Sequence, residues 1–395
     1  MIQTFAAAFA LSVCLIGVFK PMAVHAGLVD SPSVRKRHDG NIPLIGGLAL
    51  YVTLLLLVMI FPNLRAQNGL WLIGLGLPLL LVGMVDDRWQ ISAHKRLLSE
   101  ICCSYVAVSY CGIRLDDIGH LLPNVGGSLV LLAIPLSVLG MVGVINAFNM
   151  VDGVDGLAGG LACLTFAALA VLALQSHSPV ALQLVAMVAN LVGFLVFNSR
   201  FFGRARASIF LGDGGAMFIG FALGWYLISL SQGTAALITP VSALWLLAVP
   251  LLDTMTIMLR RMRRGHSPFA ADREHLHHIL LMAGFGANRT VLIILGFHLM
   301  CILYALASIQ FHIAEWISFA LALGLFALYY AGMNHAWKMM KRIKHFREWA
   351  GFEDRRSESR GSLGRRSGSE RRCAQMDLLL AAERRAGKDR RNGQR

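Results

Sequence analysis

"LLAIPLSVLGMVGVINAFNMVDGVDGLAGGLACLTFAALAVLAL", residues 131–174, holds two apolar runs and one polar interruption. Each run approaches the 18–20 residues that cross ~30 Å of hydrocarbon. Between them Asn146, Asn149, Asp152 and Asp155 recur three residues apart, with Gly153 and Gly156 beside the last two. In an α-helix a step of three advances ~300°, so four such positions drift across half the circumference and share no face of a straight helix. They converge on one point only if the helix ends and the backbone turns, which the glycines allow. The reading is a membrane helix that stops, a turn that gathers amides and carboxylates, and a second membrane helix. Spacing alone also fits a plain helix-to-helix turn with solvated aspartates.

Outward from this pair the same pattern repeats. Apolar runs fall at about 3–19, 43–61, 69–85, 98–113, 127–146, 157–175, 180–197, 209–230, 235–258, 290–310 and 313–333, in a chain that is 56% hydrophobic and 15% charged. That composition excludes an ordinary soluble domain and predicts an all-α, polytopic integral membrane protein with about eleven transmembrane helices. The first run resembles a signal peptide, with "AVHA" behind it. It lacks a basic residue before the apolar stretch, however, and Lys20 follows, so it reads as an uncleaved helix.

Basic residues fix the expected orientation. Odd-numbered connections carry Lys20, Arg35, Lys36 and Arg37; Arg88, Lys95 and Arg96; Arg200, Arg204 and Arg206; and Arg260, Arg261, Arg263, Arg264 and Arg273. Even-numbered ones offer little beyond Arg65 and Arg114. The N-terminus is therefore expected in the periplasm and the C-terminus in the cytoplasm. The net charge of +14 follows from that asymmetry and from contact with anionic headgroups, with no nucleic acid implied. Seven cysteines, mostly inside apolar runs and without paired metal spacing, read as packing residues. Residues 1–345 form the expected membrane unit. Residues 346–395, rich in Arg, Ser and Gly, read as a basic cytoplasmic tail unable to fold alone.

Polar residues concentrate at the cytoplasmic ends of the runs, in five clusters: 146–156, "RKRHDGNIPLIGG" (35–47), "DDRWQISAHKR" (86–96), "IFLGDGGA" (209–216) and "RRMRRGHSPFAADREHLHH" (260–278). Acids at the edge of hydrocarbon are functional candidates by default. Asp86 and Asp87 suit a divalent cation bridging to phosphate; taken singly they also fit a solvated loop. Asp213 lies between glycines where a ligand can approach the backbone, or serves a helix start. Phe210 offers a ring face to a nucleobase. His275, His277 and His278 lack the H-E-x-x-H spacing of a zinc protease and fit phosphate recognition beside the Arg-rich loop. Carboxylates prefer Mg²⁺ (Mn²⁺ being the alternative), and Arg, Lys and His prefer phosphate oxygens. Together the clusters suggest metal-assisted phosphoryl transfer from a nucleotide donor to a lipid acceptor.

In their order along the chain these motifs resemble the prenyl-phosphate N-acetylhexosamine-1-phosphate transferases, glycosyltransferases that begin cell-envelope polysaccharides such as O-antigen and lipopolysaccharide chains. The resemblance covers about residues 20–345 and is strongest to the bacterial enzymes acting on UDP-N-acetylglucosamine and undecaprenyl phosphate. It implies an eleven-helix fold in the inner membrane with a cytoplasmic active site. It implies Asp86, Asp87, Asp213 and His277 as catalytic, and Asp213 and Asp152 as Mg²⁺ ligands. Asn146, Asn149, Asp152, Asp155, Asn198, Phe210, Arg263, His275 and His278 would bind substrate. The product would be the lipid-pyrophosphoryl sugar, with UMP released. UDP-N-acetylgalactosamine, UDP-N-acetylfucosamine and the muramoyl-pentapeptide donor remain alternative substrates, and a homodimer is compatible with the pattern. A secondary transporter would also place acids in broken helices, but it predicts midplane charges and an internal repeat, neither of which the sequence displays.

Overall fold

In hydrocarbon every backbone polar group must be satisfied within the protein, and long apolar runs achieve this as helices. The structure, a computed structural model, describes residues 1–30, 41–65, 68–121, 129, 131–201, 204, 206–265, 267, 275–335, 342 and 346. The basic group 35–37, Arg273, Cys373 and the tail 346–395 (apart from Phe346) lie outside them. The described residues form α1 (Ile2–His25), β1 (Val29–Asp30), β2 (Ile42–Pro43), α2 (Gly46–Ile60), α3 (Gly69–Trp89), α4 (Ala93–Tyr110), α5 (Ala133–Val151), α6 (Leu157–Gln175) and α7 (Ala181–Asn198). Then follow α8 (Gly212–Leu230), α9 (Pro240–Leu246), α10 (Ala248–Arg263), α11 (Leu276–Met282), α12 (Ala287–Gln310) and α13 (Glu315–Asn334). Eight of these, α1, α3, α5, α6, α7, α8, α12 and α13, are long and apolar enough to cross a membrane. This is a mainly helical, multi-pass membrane protein. The described cysteines are all free thiols.

Three departures from the expected segments bear on the site. The run ending near 146 continues as α5 to Val151, so Asn146 and Asn149 project from the last helical turns and only Asp152 begins the turn. The run expected from 98 starts as α4 at Ala93, which puts Arg96 and Glu100 on a helix instead of in a loop. The run expected as one span at 235–258 is two helices, α9 and α10, meeting at 84°.

The break has a local cause. Pro250 has no N–H to return to the carbonyl of Leu246 four residues earlier, so a helical hydrogen bond is missing there. The freed Leu246 carbonyl instead takes the hydroxyl of Thr165 on α6 at 2.9 Å, and Nε2 of the buried His298 on α12 lies 3.1 Å from that hydroxyl.

α8 is buried along almost its whole length, and small residues let its N-terminus approach its neighbours. A Cβ at Gly83 of α3 would fall 2.3 Å from the Gly214 Cα, and one at Gly47 of α2 would fall 2.3 Å from the Gly215 Cα. Backbone contact of this kind carries Asp86 and Asp87, one turn beyond Gly83, to the first turn of α8.

Candidate active site

At the N-terminus of α8 the first N–H groups have no helical partner. Both side-chain oxygens of Asp87 lie within reach of the Asp213 N–H, at 3.1 and 3.0 Å, so a carboxyl group of a neighbouring helix caps α8. Asp213 in turn accepts from the Asn149 amide at 3.2 Å. Arg96 bridges the group, 2.5 Å from Asp86 and 3.4 Å from Asp213. Behind it the Asn146 amide donates to Glu100, which is buried on α4.

The α5–α6 turn supplies the second wall. Gly156 takes a left-handed backbone (φ 82°) that starts α6, and its N–H donates to the Asn198 side-chain oxygen at 2.9 Å. The same Asn198 amide donates to the Ile209 carbonyl, so this residue ties the turn to the segment before α8. Asp155 takes Arg200 at 2.6 Å and the Ala207 N–H at 2.9 Å, which pins the same segment. Phe210 precedes Asp213 by three residues, with its backbone paired to Leu44 and to the Gly46 N–H.

The histidine motif completes the site from α11. His275 stands at the N-cap position of that helix, and its Nδ1 lies 2.7 Å from a carboxylate oxygen of Asp253. His277 is buried with its ring 4.3 Å from that of His278 and 5.5 Å from that of His275. Burial first, then the neighbouring histidines, holds His277 down to about 3, so it is neutral at physiological pH. Its Nε2 has no hydrogen-bond partner among the described residues. That nitrogen sits against the α5–α6 turn: a Cβ on Gly153 would lie 2.5 Å from it. The carboxylate turn and the histidine motif are therefore one site. Arg263 faces elsewhere, with its guanidinium over the Tyr330 ring of α13 and 2.7 Å from that hydroxyl.

The donor set fits a hard divalent cation. Asp86 is answered by Arg96 and Asp155 by Arg200, whereas Asp152 has no ion pair among the described residues. Its enclosure, then the charges of Asp213 and Asp155, pushes the Asp152 carboxyl up to about 7. Crowded carboxylates short of positive charge are what a cation relieves. Among the described residues no three His, Cys, Asp or Glu side chains form a metal cage. Mg²⁺ does not require one, since it is held by one or two carboxylates together with waters and substrate phosphates.

Of the residues expected in the site, Asp86, Asp87, Asn149 and Asp213 meet in one cluster. Asp152 joins it through its charge contact with Asp213, and His275, His277 and His278 join through Gly153. Asn146, Asn198 and Asp155 spend their polar atoms on neighbouring protein groups. Arg96, Glu100, Arg200, Asp253 and Tyr329 were not singled out from sequence. Asp253 and Glu100 stand in the sequence as lone acids inside apolar runs, and Arg96 and Arg200 as basic residues of the connections.

The chain is a helical membrane protein with clustered carboxylates, a capped helix N-terminus and clustered histidines, and comparison with known proteins places it among the membrane transferases. Residues 70–231 match the model of glycosyl transferase family 4. The chain is 37% identical over 341 residues to the undecaprenyl-phosphate alpha-N-acetylglucosaminyl 1-phosphate transferase of Yersinia pestis, covering 86% of this chain and 93% of that one. It is 35% identical to the proteins of the same name from Escherichia coli K12 (82% and 89% covered) and Haemophilus influenzae (84% and 94%). The chain belongs to glycosyl transferase family 4.

Proposed function

We propose that this protein transfers N-acetylglucosamine 1-phosphate from UDP-N-acetylglucosamine to undecaprenyl phosphate and releases UMP, as the first membrane step of O-antigen or related polysaccharide synthesis. The observation that carries the reading is the junction at Gly153, where the α5–α6 turn that bears Asp152 meets His277 of α11. The relatives' shared name supplies the substrates.

An oxygen of the lipid phosphate forms a bond to the β-phosphorus of the donor. The bond from that phosphorus to the bridging oxygen breaks, and UMP leaves with the electron pair. The acceptor has a second pKa near ~6 and arrives largely deprotonated at pH 7, so no strong base is needed. Positioning and charge neutralisation dominate such chemistry. Asp213 and Asp152 would hold Mg²⁺, which supplies neutralisation of phosphate charge. Asp87 orients the acceptor phosphate and takes any residual proton. Phe210 stacks on uracil, and the histidines contact the pyrophosphate and sugar. Arg263 reaches the donor after leaving Tyr330.

In this reading all eleven segments span the inner membrane: the eight long helices, the bent α9–α10 pair, the 15-residue α2, and α4. The N-terminus is periplasmic and the site is cytoplasmic.

The test is UMP release by purified protein given both substrates, with and without Mg²⁺, beside Asp213→Asn. Mg²⁺-dependent UMP that disappears in the variant supports the reading. UMP from only another UDP-sugar changes the substrate, and silence with every donor removes the enzyme reading.

A further inference from the structure

Asp253 is the least expected acid in the molecule. It stands in the second turn of α10, is 2% exposed, and belongs to none of the five polar clusters. A carboxylate so placed is costly unless its oxygens are satisfied. Three donors meet it. The Leu276 N–H, an orphan of the first turn of α11, reaches Oδ1 at 3.0 Å. The Tyr329 hydroxyl of α13 reaches the same oxygen at 2.8 Å, and His275 Nδ1 lies 2.7 Å from Oδ2.

Both oxygens are thus committed within the protein, and Asp253 has no face for substrate. What it controls is His275. A carboxylate that accepts from Nδ1 fixes the proton there and leaves Nε2 as an unprotonated acceptor, setting ring orientation and tautomer together. Among the described residues, Nε2 of His275 has no hydrogen-bond partner. The next residue of α13 repeats the arrangement, since Tyr330 holds Arg263 while Tyr329 holds Asp253. α10 is therefore clipped to adjacent residues of α13 at two places, its last residue by Tyr330 and its second turn by Tyr329.

We propose that Asp253, braced by Tyr329, is a positioning residue for the reaction: it presents His275 Nε2 as a hydrogen-bond acceptor to a hydroxyl or amide N–H of the donor's sugar. This rests on the transferase reading given above.

The experiment compares Asp253→Asn, His275→Ala, their double variant and Tyr329→Phe in the full-length protein, using UDP-N-acetylglucosamine or whichever UDP-sugar the wild type turns over. Asp253→Asn and His275→Ala should each lower kcat/KM for the UDP-sugar ~10–100-fold, with KM for undecaprenyl phosphate changed less than about twofold. The double variant should be no worse than the weaker single, because the two act as a unit. Tyr329→Phe, which removes only a hydroxyl, should fall ~3-fold in the same parameter and keeps the test open if Asp253→Asn does not fold. Losses that multiply in the double variant, or a fall in kcat with both KM values unchanged, would overturn the proposal. A readout independent of activity separates it from the transferase reading. Nitrogen-15 NMR of histidine-labelled protein should give His275 as the Nδ1–H tautomer in wild type and lose that signature in Asp253→Asn. The same tautomer in both would refute the role of Asp253 even in an active enzyme. An inactive wild type that displays the signature would sink the transferase reading alone.

Discussion

Gly153→Ala isolates the contact that joins the two halves of the site. Gly153 does not have a left-handed backbone, so alanine introduces no conformational strain and only a methyl group is added. The new Cβ would lie 2.5 Å from His277 Nε2 and 2.9 Å from Cε1, where ordinary contact begins at 3.4 Å. The ring must therefore recede by ~0.9 Å, or the turn must. Retreat presses on neighbours, because His277 is buried against His275 and His278. A displacement near 1 Å at a site that works by positioning costs on the order of 10²-fold in rate, while overpacking costs ~1–3 kcal/mol of stability. The assay is UMP release at saturating substrates, with thermal unfolding measured on the same preparation. In a His277→Ala background the methyl has room, so the double variant should match His277→Ala alone. Wild-type turnover by a folded Gly153→Ala protein, or losses that multiply in the double variant, would refute the argument that this contact aligns the site.

Three further outcomes follow from the same geometry. Asn198→Ala orphans the Gly156 N–H and the Ile209 carbonyl together, so it should cost ~2–4 kcal/mol, read as a lower apparent Tm than that of Asn198→Gln. Because the Asp152 carboxyl rises to about 7 from an unfolded value near ~3.9, the folded chain binds the extra proton between those values. Metal-free protein should then lose stability as pH rises through that window. Mg²⁺, which competes with the proton, should raise Tm more at pH 8 than at pH 5; equal increments would count against Asp152 as a ligand. Thr165→Val leaves the Leu246 carbonyl without its donor at the α9–α10 break and should lower the unfolding midpoint by the equivalent of ~1–2 kcal/mol, detectable by thermal scanning in detergent.

Hydropathy and short motifs by themselves determined that this is a helical membrane protein and where its chemistry concentrates. The free energy of burying backbone in lipid depends on composition along the chain, so most spans are legible locally. Asp86, Asp87, Asp152 and Asp213 were legible for the same reason, since a charge beside hydrocarbon stands out. What sequence could not supply depends on groups far apart in the chain. Arg96 counted as a loop cation until α4 placed it against Asp86 and Asp213. Asn198 and Asp155 looked like ligands, yet their polar atoms hold the turn and the segment before α8. Asp253 was hidden in an apolar run because its meaning comes from His275 and Tyr329, 22 and 76 residues away. The break at Leu247 needed Pro250 to open it and Thr165 of another helix to satisfy it. Local patterns fix which segments enter the membrane. Only the tertiary structure decides which buried polar groups face a substrate and which face each other, because each carboxylate or amide must find its partners inside the protein and those partners come from distant segments.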